Sequence, residues 1–268
     1  MTSKLLSISE AAQLVPSNCT LAVGGITLYR RPVAFIEALL RRKYSSGSPQ
    51  NLTLMTFTAG IECDWLVGSG MVQRVRTCYF GLEIFGLAPM FTYQANRGEI
   101  EIVEESESSL AFGLRAQMAG IGFMPARAWL GTDMPGLRPD VKTVLDPYSG
   151  EELMAFPAIY PDVAVIHALK ADADGNALIG GNKGIDPELA IVAGQVIITT
   201  EELVPSLEKA DIVAPLVSAI VLAPAGAAPT SCHPNYAMDG EAIMRYSELV
   251  SDSSSFDAYI KSRLEPTR

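Results

Sequence analysis

Short apolar runs alternate with amphipathic stretches along most of the chain. The runs read "TLAV", "NLTLMTF", "VQRVRTCYF", "IEIVEE", "VAVIHAL", "QVIITT" and "AIVL". Continuous runs rich in Val, Ile and Leu, separated by helical stretches, are typical of buried strands in a parallel sheet. The pattern therefore predicts an α/β protein with a mostly parallel sheet, and we interpret residues 1–268 as a single domain.

Several of the intervening stretches carry helix signals. "SISE" at residues 7–10 has the form of a capping box and opens a predicted helix. Pro32 suits the first turn of the helix "PVAFIEALLRRK", and "SSLAFGLRAQMAG" predicts another. Residues 137–152, "LRPDVKTVLDPYSGEE", are polar and rich in turn formers. We expect them to form a long excursion across the surface.

One uncharged segment, residues 212–230, is about long enough to cross a bilayer. Pro215, Pro224 and Pro229 interrupt it, and its "AIVL" run fits a buried strand better than a spanning helix. The N-terminus also lacks the apolar core and cleavage site of a signal peptide. We expect a cytoplasmic protein that makes no membrane contact.

Composition excludes other classes of function. The formal net charge is −10, which argues against nucleic acid as a partner because phosphate binding needs clustered Lys and Arg. None of the four cysteines forms a C-x-x-C pair, and the two histidines, His167 and His233, do not make a ligand set, so no metal is expected. The sequence has no Walker loop, no complete dinucleotide fingerprint and no G-x-S-x-G motif.

The stretch "AVGGITLYRRP" at residues 22–32 is the first candidate for chemistry. Gly24 and Gly25 follow a predicted strand, at the edge where open α/β sheets bind ligands, and glycine lets backbone N–H groups approach a ligand closely. Two such donors can stabilise the oxyanion of an attacked thioester. Arg30 and Arg31 could bind carboxylate or phosphate as bidentate forks. The alternative is an ordinary Gly-Gly turn followed by two solvated arginines.

Several motifs in order resemble the α subunits of class I coenzyme A transferases, of the glutaconate CoA-transferase type. "VGGITLYRRPVAFIEALL" resembles their G-G element before a proline, and "YFGLEIFGLAPMF" with "GEIEIVEESE" resembles the segments that follow. "YPDVAVIHALKADADGNALI" at residues 160–179 is the strongest match, and "VIITTEELV" also fits. The resemblance covers most of the chain.

This resemblance implies an open three-layer α/β/α sandwich and a partner. In the family, a glutamate of the β part attacks acyl-CoA, and the Gly-Gly turn of the α part donates to the oxyanion. The equivalent place after "NLTLMTF" reads Thr58-Ala59-Gly60 and lacks a glutamate. The chain is therefore expected to be an α subunit that is inactive alone and forms an α2β2 assembly with a β subunit. It would use a CoA thioester and a carboxylic acid as substrates, with no permanently bound cofactor.

The resemblance also implies a second chemistry. Ring-opening hydrolases of steroid catabolism share the fold, a basic pair before the proline and a glutamate that we align with Glu107. In them this glutamate activates water against a cyclic dione-CoA. The sequence does not separate the two reactions, and we favour transferase as the commoner use of the fold. A regulatory, phosphate-sensing domain would want a helix-turn-helix or a clear phosphate loop, and only "GGNKG" at residues 180–184 comes near one.

The remaining candidates have plain structural interpretations as well. Glu83 lies between two glycines at the end of "TCYF" and is either a site residue or a loop residue bonded to backbone. Asn176 belongs to "ADADGN", a turn by its chemistry, and is a possible contributor to the site. Gly24, Gly25, Glu83 and Glu107 are thus the catalytic candidates. The candidates for binding substrate or CoA are Thr27, Arg30, Arg31 and Asn176.

Overall fold

The computed structural model describes residues 3–265. Within them the strands are β1 (Thr20–Val23), β2 (Leu52–Met55), β3 (Thr58–Ala59), β4 (Val72–Thr77), β5 (Tyr79–Phe80), β6 (Glu101–Glu104), β7 (Phe123–Ala126), β8 (Lys142–Leu145), β9 (Glu152–Pro157), β10 (Val163–Asp172), β11 (Ala177–Leu178), β12 (Gln195–Val204) and β13 (Ala219–Leu222). The α-helices are α1 (Ile8–Ala12), α2 (Val33–Ser46), α3 (Ile61–Gly68), α4 (Pro89–Arg97), α5 (Glu107–Met118), α6 (Met134–Leu137), α7 (Asp186–Val192), α8 (Gly240–Leu249) and α9 (Ser253–Leu264).

Seven strands form the parallel core of the central sheet, in the order β13-β12-β10-β1-β2-β4-β6. β1 lies in the middle, with Leu21 opposite Val163 on one side and Leu54 on the other. The short β11 pairs with β10 in the antiparallel sense. The predicted mostly parallel sheet is confirmed, and every apolar run that predicted a strand contributes to it.

Helices cover both faces of the sheet. Leu21 and Val23 of β1 pack into a core shared with α1, α2, α3, α8 and α9. Ala22, between them, faces the opposite core, which includes Leu110 and Leu114 of α5 and Leu189 of α7. Because successive side chains of a strand point to opposite faces, apolar residues at consecutive positions require helices on both sides. The three-layer α/β/α class is confirmed.

Local signals set the ends of the first two helices. At α1, Ser7 Oγ accepts a hydrogen bond from Glu10 N at 3.2 Å, and Glu10 Oε2 accepts one from Ser7 N at 2.8 Å. This is the predicted capping box. α2 begins directly after Pro32 and ends at Gly47, whose φ of +75° is favourable for glycine.

The polar segment 137–152 is more ordered than a surface excursion. It contains β8 and leads into β9, which pairs antiparallel with β8 on one side and β7 on the other. Met154 and Phe156 of β9 pack against Trp129 beneath this small sheet. The expectation of a plain excursion was wrong because the apolar residues that stabilise these strands lie outside the segment, before and after it.

The uncharged segment 212–230 contains β13, whose Ile220 pairs with Ile198 of β12. The "AIVL" run is thus a buried strand, as predicted. Across residues 3–265, no helix combines the length and the apolar character needed to traverse a bilayer.

Candidate active site

The segments that follow the central parallel strands meet at one edge of the sheet. Gly24 follows β1, Thr56 follows β2, Cys78 follows β4 and Glu105 follows β6. They are joined by direct contacts: Thr27 N donates to Thr58 Oγ1 at 2.9 Å, and Cys78 Sγ donates to Phe57 O at 2.7 Å. Because carboxyl ends of parallel strands are the usual ligand-binding edge, this is the candidate active site.

Both N–H groups of the Gly24–Gly25 turn have partners within the chain. Gly24 N donates to Val165 O at 2.9 Å, which continues the pairing of β1 with β10. Gly25 N donates to both carboxylate oxygens of Asp186, at 3.0 and 3.1 Å. Oxyanion stabilisation by this turn stays a prediction, and Gly25 N would have to exchange Asp186 for a substrate oxygen.

Glycine is required at both positions of the turn. Gly25 has φ of +83°, and a Cβ there would lie 2.5 Å from Arg30 O. A Cβ on Gly24 would lie 2.8 Å from Asp186 Oδ1. The close approach predicted for this Gly-Gly pair is therefore present, but towards the protein's own backbone and carboxylate.

Arg30 and Arg31 are completely buried and point to different partners. Arg30 Nη2 lies 2.7 Å from Asp186 Oδ2, and its Nη1 donates to His167 O at 2.7 Å. Arg31 Nε donates to Glu62 Oε1 at 2.6 Å, and its Nη1 donates to Gly25 O at 3.0 Å. The interpretation as solvated arginines is wrong, because neither side chain has any exposed surface. Binding of a CoA phosphate by either fork stays a prediction that would require it to leave these partners.

Burial lowers the pKa of the Arg31 guanidinium, but the negative charges and hydrogen bond beside it, led by Glu62, outweigh burial and raise the pKa above its ordinary value. The adjacent Cys63 thiol has its pKa raised well above the ordinary value, first by burial and then by Glu62. Arg31 is thus a fixed cation and Cys63 a neutral thiol in this pocket.

Thr27 and Gly60 bring the β1 and β2 turns into contact. Thr27 is 3% exposed, and its φ of +33° is unusual for a branched residue. A Cβ on Gly60 would collide with Thr27 O. Binding of substrate by Thr27 stays a prediction, since its backbone and side chain are largely enclosed.

Glu107 and Glu105 occupy contrasting positions after β6. Glu107 is exposed at the first position of α5, where the helix N-terminus favours a carboxylate. Glu105 is 4% exposed, and its Oε1 lies 2.7 Å from Arg76 Nε and 2.8 Å from Arg138 Nη1. Of the two, only Glu107 has a carboxylate open to a ligand.

Cys78 connects this pair of glutamates to the end of β4. Its pKa is raised to about 11, first by burial and then by the charge of Glu107. The half-buried thiol therefore stays neutral beside Glu107 at ordinary pH.

The structure places the other two predicted site residues in turns. Glu83 is exposed, has φ of +55°, and its N–H donates to Tyr79 Oη at 3.2 Å. Asn176 Nδ2 donates to Asp172 Oδ2 at 2.9 Å, and its Oδ1 accepts from Ala214 N at 3.0 Å. Asn176 thus shapes its loop, as its turn chemistry indicates, and roles in a site stay predictions for both residues.

His167 lies in a buried network that the sequence did not reveal. Its Nε2 lies 2.7 Å from Glu201 Oε1 and its Nδ1 2.8 Å from Thr199 Oγ1. Burial lowers the pKa of His167, although the hydrogen bond to Glu201 acts in the opposite direction. The prediction that this histidine is a core residue on its strand agrees with complete burial.

The third member near His167 is Cys232, not the neighbouring His233, which is exposed. Ligand atoms of His167, Glu201 and Cys232 lie within 4.8 Å of one another, a spacing that could hold a metal. His167 and Glu201 instead bond each other directly, which occupies the atoms that a metal would need. The arrangement does not call for an ion.

Asp186 and Glu62 are the functional candidates that the sequence reasoning missed. Asp186 opens α7 ahead of Pro187, and Glu62 lies in the first turn of α3. Acidic residues in a first helical turn are common, so their positions suggested only helix capping. The matching pair of buried arginines was the available signal, because a buried guanidinium needs an acidic partner.

Most of the chain is similar to known proteins. The coenzyme A transferase family model matches residues 5–220. A subunit of the 3-oxoadipate CoA-transferase of Pseudomonas knackmussii is 30% identical over 99% of this chain and 95% of its own length. A cholesterol ring-cleaving hydrolase subunit of Mycobacterium tuberculosis is 30% identical over 100% and 95%. The crystal structure of glutaconate coenzyme A-transferase from Acidaminococcus fermentans superposes with a TM-score of 0.87, at 27% identity, over 97% of this chain and 88% of that one.

The family model and the Pseudomonas relative at 30% identity each span far more than half of the chain. The predicted resemblance is thereby confirmed, and the chain belongs to the coenzyme A transferase family.

Proposed function

We propose that this chain is the α subunit of a heteromeric CoA-transferase that moves CoA between an acyl-CoA and a carboxylic acid. The supporting observation is the state of the carboxylates after β2. Positions 58–60 offer none, and the next two, Glu62 and Asp64, are both fully buried. Glu62 is paired with Arg31, and Asp64 accepts hydrogen bonds from Tyr246 and two backbone N–H groups. The nucleophile must then come from a partner.

The partner is proposed to be a β subunit, since the Pseudomonas relative is by its name one subunit of a CoA-transferase. The partner's glutamate would attack the thioester carbonyl, form an acyl-glutamyl anhydride and expel CoA thiolate. The thiolate would return to give a glutamyl-CoA thioester and free acid, and the acceptor acid would then take over the CoA. The CoA thioester is a substrate, no permanently bound cofactor takes part, and the proposed assembly is α2β2.

The contribution of this chain is the edge built around the Gly24–Gly25 turn. Gly25 N is the proposed oxyanion donor once it leaves Asp186. Thr27, Glu83 and Asn176 remain proposed contributors to substrate binding or chemistry. Arg30 and Arg31 are adjacent to the thioester position in this scheme.

A second candidate reaction is hydrolytic ring opening of a cyclic dione-CoA. It is supported by the exposed carboxylate of Glu107 at the start of α5 and by the similarity to the mycobacterial hydrolase subunit. In that reaction Glu107 would act as the base that activates water, and no covalent adduct would form on the partner.

The test is to purify the chain alone and together with its β partner. We expect CoA exchange between 3-oxoadipyl-CoA and isotopically labelled 3-oxoadipate only in the complex, with a hydroxylamine-trapped glutamate on the partner by mass spectrometry. Exchange by the chain alone, with co-purified protein excluded by the same spectra, would contradict the proposal. An active complex that hydrolyses thioester without any partner adduct would favour the second reaction.

A further inference from the structure

We propose that two buried ion pairs, Arg30–Asp186 and Arg31–Glu62, clamp the Gly25 peptide from its two sides, and that Asp186 and Glu62 are positioning residues for the thioester chemistry. The catalytic consequence rests on the proposed function, because it assumes that the Gly24–Gly25 turn faces the reacting thioester. We call the two pairs and the peptide between them the Gly25 clamp.

The first pair holds the N–H side of the peptide. Asp186 accepts from Gly25 N at 3.0 and 3.1 Å, while its Oδ2 lies 2.7 Å from Arg30 Nη2. Arg30 is itself fixed through His167 O at 2.7 Å and Asn182 O at 3.2 Å. The carboxylate therefore has one defined place, set from the β10 side of the sheet edge.

The second pair holds the carbonyl side. Arg31 Nη1 donates to Gly25 O at 3.0 Å and to Thr58 O at 3.0 Å. Glu62 Oε1 receives Arg31 Nε at 2.6 Å and lies 2.6 Å from Nη2. Arg31 thus joins the β1 turn to the β2 turn, with α3 supplying the counter-charge.

The clamp holds a turn that would not stay in place by itself. Gly25, Thr27 and Arg30 all have positive φ, at +83°, +33° and +54°. Such backbone is costly outside glycine and persists only where its surroundings enforce it, a situation that is frequent at functional sites.

Stability alone is a poor reason for this arrangement. Within residues 3–265, Arg30 Nε and Glu62 Oε2 are buried without a hydrogen-bond partner. Burying charge with incomplete pairing often contributes less stability than well-packed apolar groups in the same volume. A function in holding the turn accounts for charges that packing does not require.

The competing interpretation is that the arginines bind the phosphates of CoA directly. The two interpretations differ for a thioester that lacks those phosphates. Direct binding predicts that arginine variants lose their effect with an acyl-pantetheine thioester. The Gly25 clamp predicts the same loss with both thioesters, because it acts on the reacting end.

The experiment compares Glu62→Gln and Asp186→Asn with the matched control Asp64→Asn in the αβ complex. Asp64 is equally buried on the same helix as Glu62 but faces Tyr246 and the start of α4. Arg31→Lys and Asp186→Glu, which keep the charges, serve if the amide variants do not fold. Amide hydrogen exchange of residues 24–31 measures the turn, and exchange of labelled 3-oxoadipate with 3-oxoadipyl-CoA or 3-oxoadipyl-pantetheine measures chemistry.

We expect faster hydrogen exchange at residues 24–31 and a kcat lowered about tenfold to a hundredfold in the clamp variants, with KM changed far less. The kcat loss should be equal for both thioesters, and Asp64→Asn should show neither effect. Unchanged protection of the turn in folded clamp variants would overturn the clamp. A higher KM for the CoA thioester alone would assign the arginines to phosphate binding. An inactive wild-type complex would contradict the proposed function, while the hydrogen-exchange comparison would still decide the clamp.

Discussion

The carbonyl oxygen of Thr27 occupies the space in which a side chain at position 60 would begin. A Cβ on Gly60 would overlap Thr27 O, and the next nearest atoms are Thr27 C at 3.0 Å and Glu62 Oε2 at 3.3 Å. The turns after β1 and β2 are therefore in direct backbone contact, and Gly60 is what permits it.

Gly60→Ala should consequently lower the free energy of unfolding by about 1–3 kcal/mol or more, because the added methyl group forces the two turns apart. Denaturant unfolding of the isolated chain measures this. Gly122→Ala is the control, since a Cβ there would meet no other atom within 4 Å. Equal stability of the two variants would show that the turns separate at little cost.

Glu107→Gln distinguishes the two candidate reactions. In the proposed transferase the covalent carboxylate belongs to the partner, so we expect a loss in rate of less than about tenfold and a persisting partner adduct. A general base contributes roughly a hundred- to ten-thousandfold, so a hydrolase would lose nearly all activity. Glu104→Gln, at the exposed end of β6, is the matched control. A dead Glu107→Gln complex with no adduct in wild type would favour hydrolysis.

The pH dependence of stability should carry a contribution from Asp64. Burial raises its pKa from 3.8 to about 6, against hydrogen bonds from Tyr246 and two backbone N–H groups that lower it. Between these values the folded chain keeps a proton that the unfolded chain has released. Stability from this group is therefore full at low pH, is lost as pH rises towards about 6, and changes no further above it.

Urea unfolding of wild type and Asp64→Asn from pH 4 to pH 7 tests the sign. The difference in unfolding free energy should shift against wild type by about 2–3 kcal/mol as pH rises. The variant comparison is needed because His167 acts in the opposite direction. Burial lowers its pKa below the ordinary 6.5, so its contribution is lost as pH falls through that value. A pH-independent difference would mean that Asp64 has the same pKa in both states.

Partner binding should be sensitive to Ile84, which is 87% exposed in the turn after β5. β5 pairs with β3 at the sheet edge that a partner glutamate has to reach. Ile84→Asp should weaken binding of the β partner by about tenfold or more, since a buried charge replaces apolar contact, and leave the stability of the isolated chain unchanged. Tyr148→Asp is the control at 98% exposure in the turn between β8 and β9. Equal affinities of the two variants would place the interface elsewhere.

The central sheet could be predicted from sequence because its strands are buried on both faces. The runs "VAVIHAL" and "QVIITT" have apolar residues at consecutive positions, and both lie in the middle of the sheet. The strands β8 and β9 could not, since each has one exposed face and their core contact, Trp129, lies elsewhere in the chain. Periodicity reports burial, and half-exposed short strands give little of it.

The candidate site was located correctly at the carboxyl edge of the sheet but was assigned the wrong environment for its arginines. Arg30 and Arg31 are adjacent to a Gly-Gly turn, which suggested exposed forks. Their burial depends on Asp186 and Glu62, which come from distant helices and carry no local signal. Partners brought together by the fold are the part of a site that local sequence does not reveal.

Two neighbouring arginines that pair with acids from opposite halves of the chain have a consequence for descent. A change at position 30 leaves a buried charge at position 186, and a change at position 31 does the same at position 62. Each pair should therefore be gained and lost as a unit during divergence. In related chains, a neutral residue replacing Asp186 should accompany the loss of the cation at position 30 while the pair at 31 and 62 persists independently.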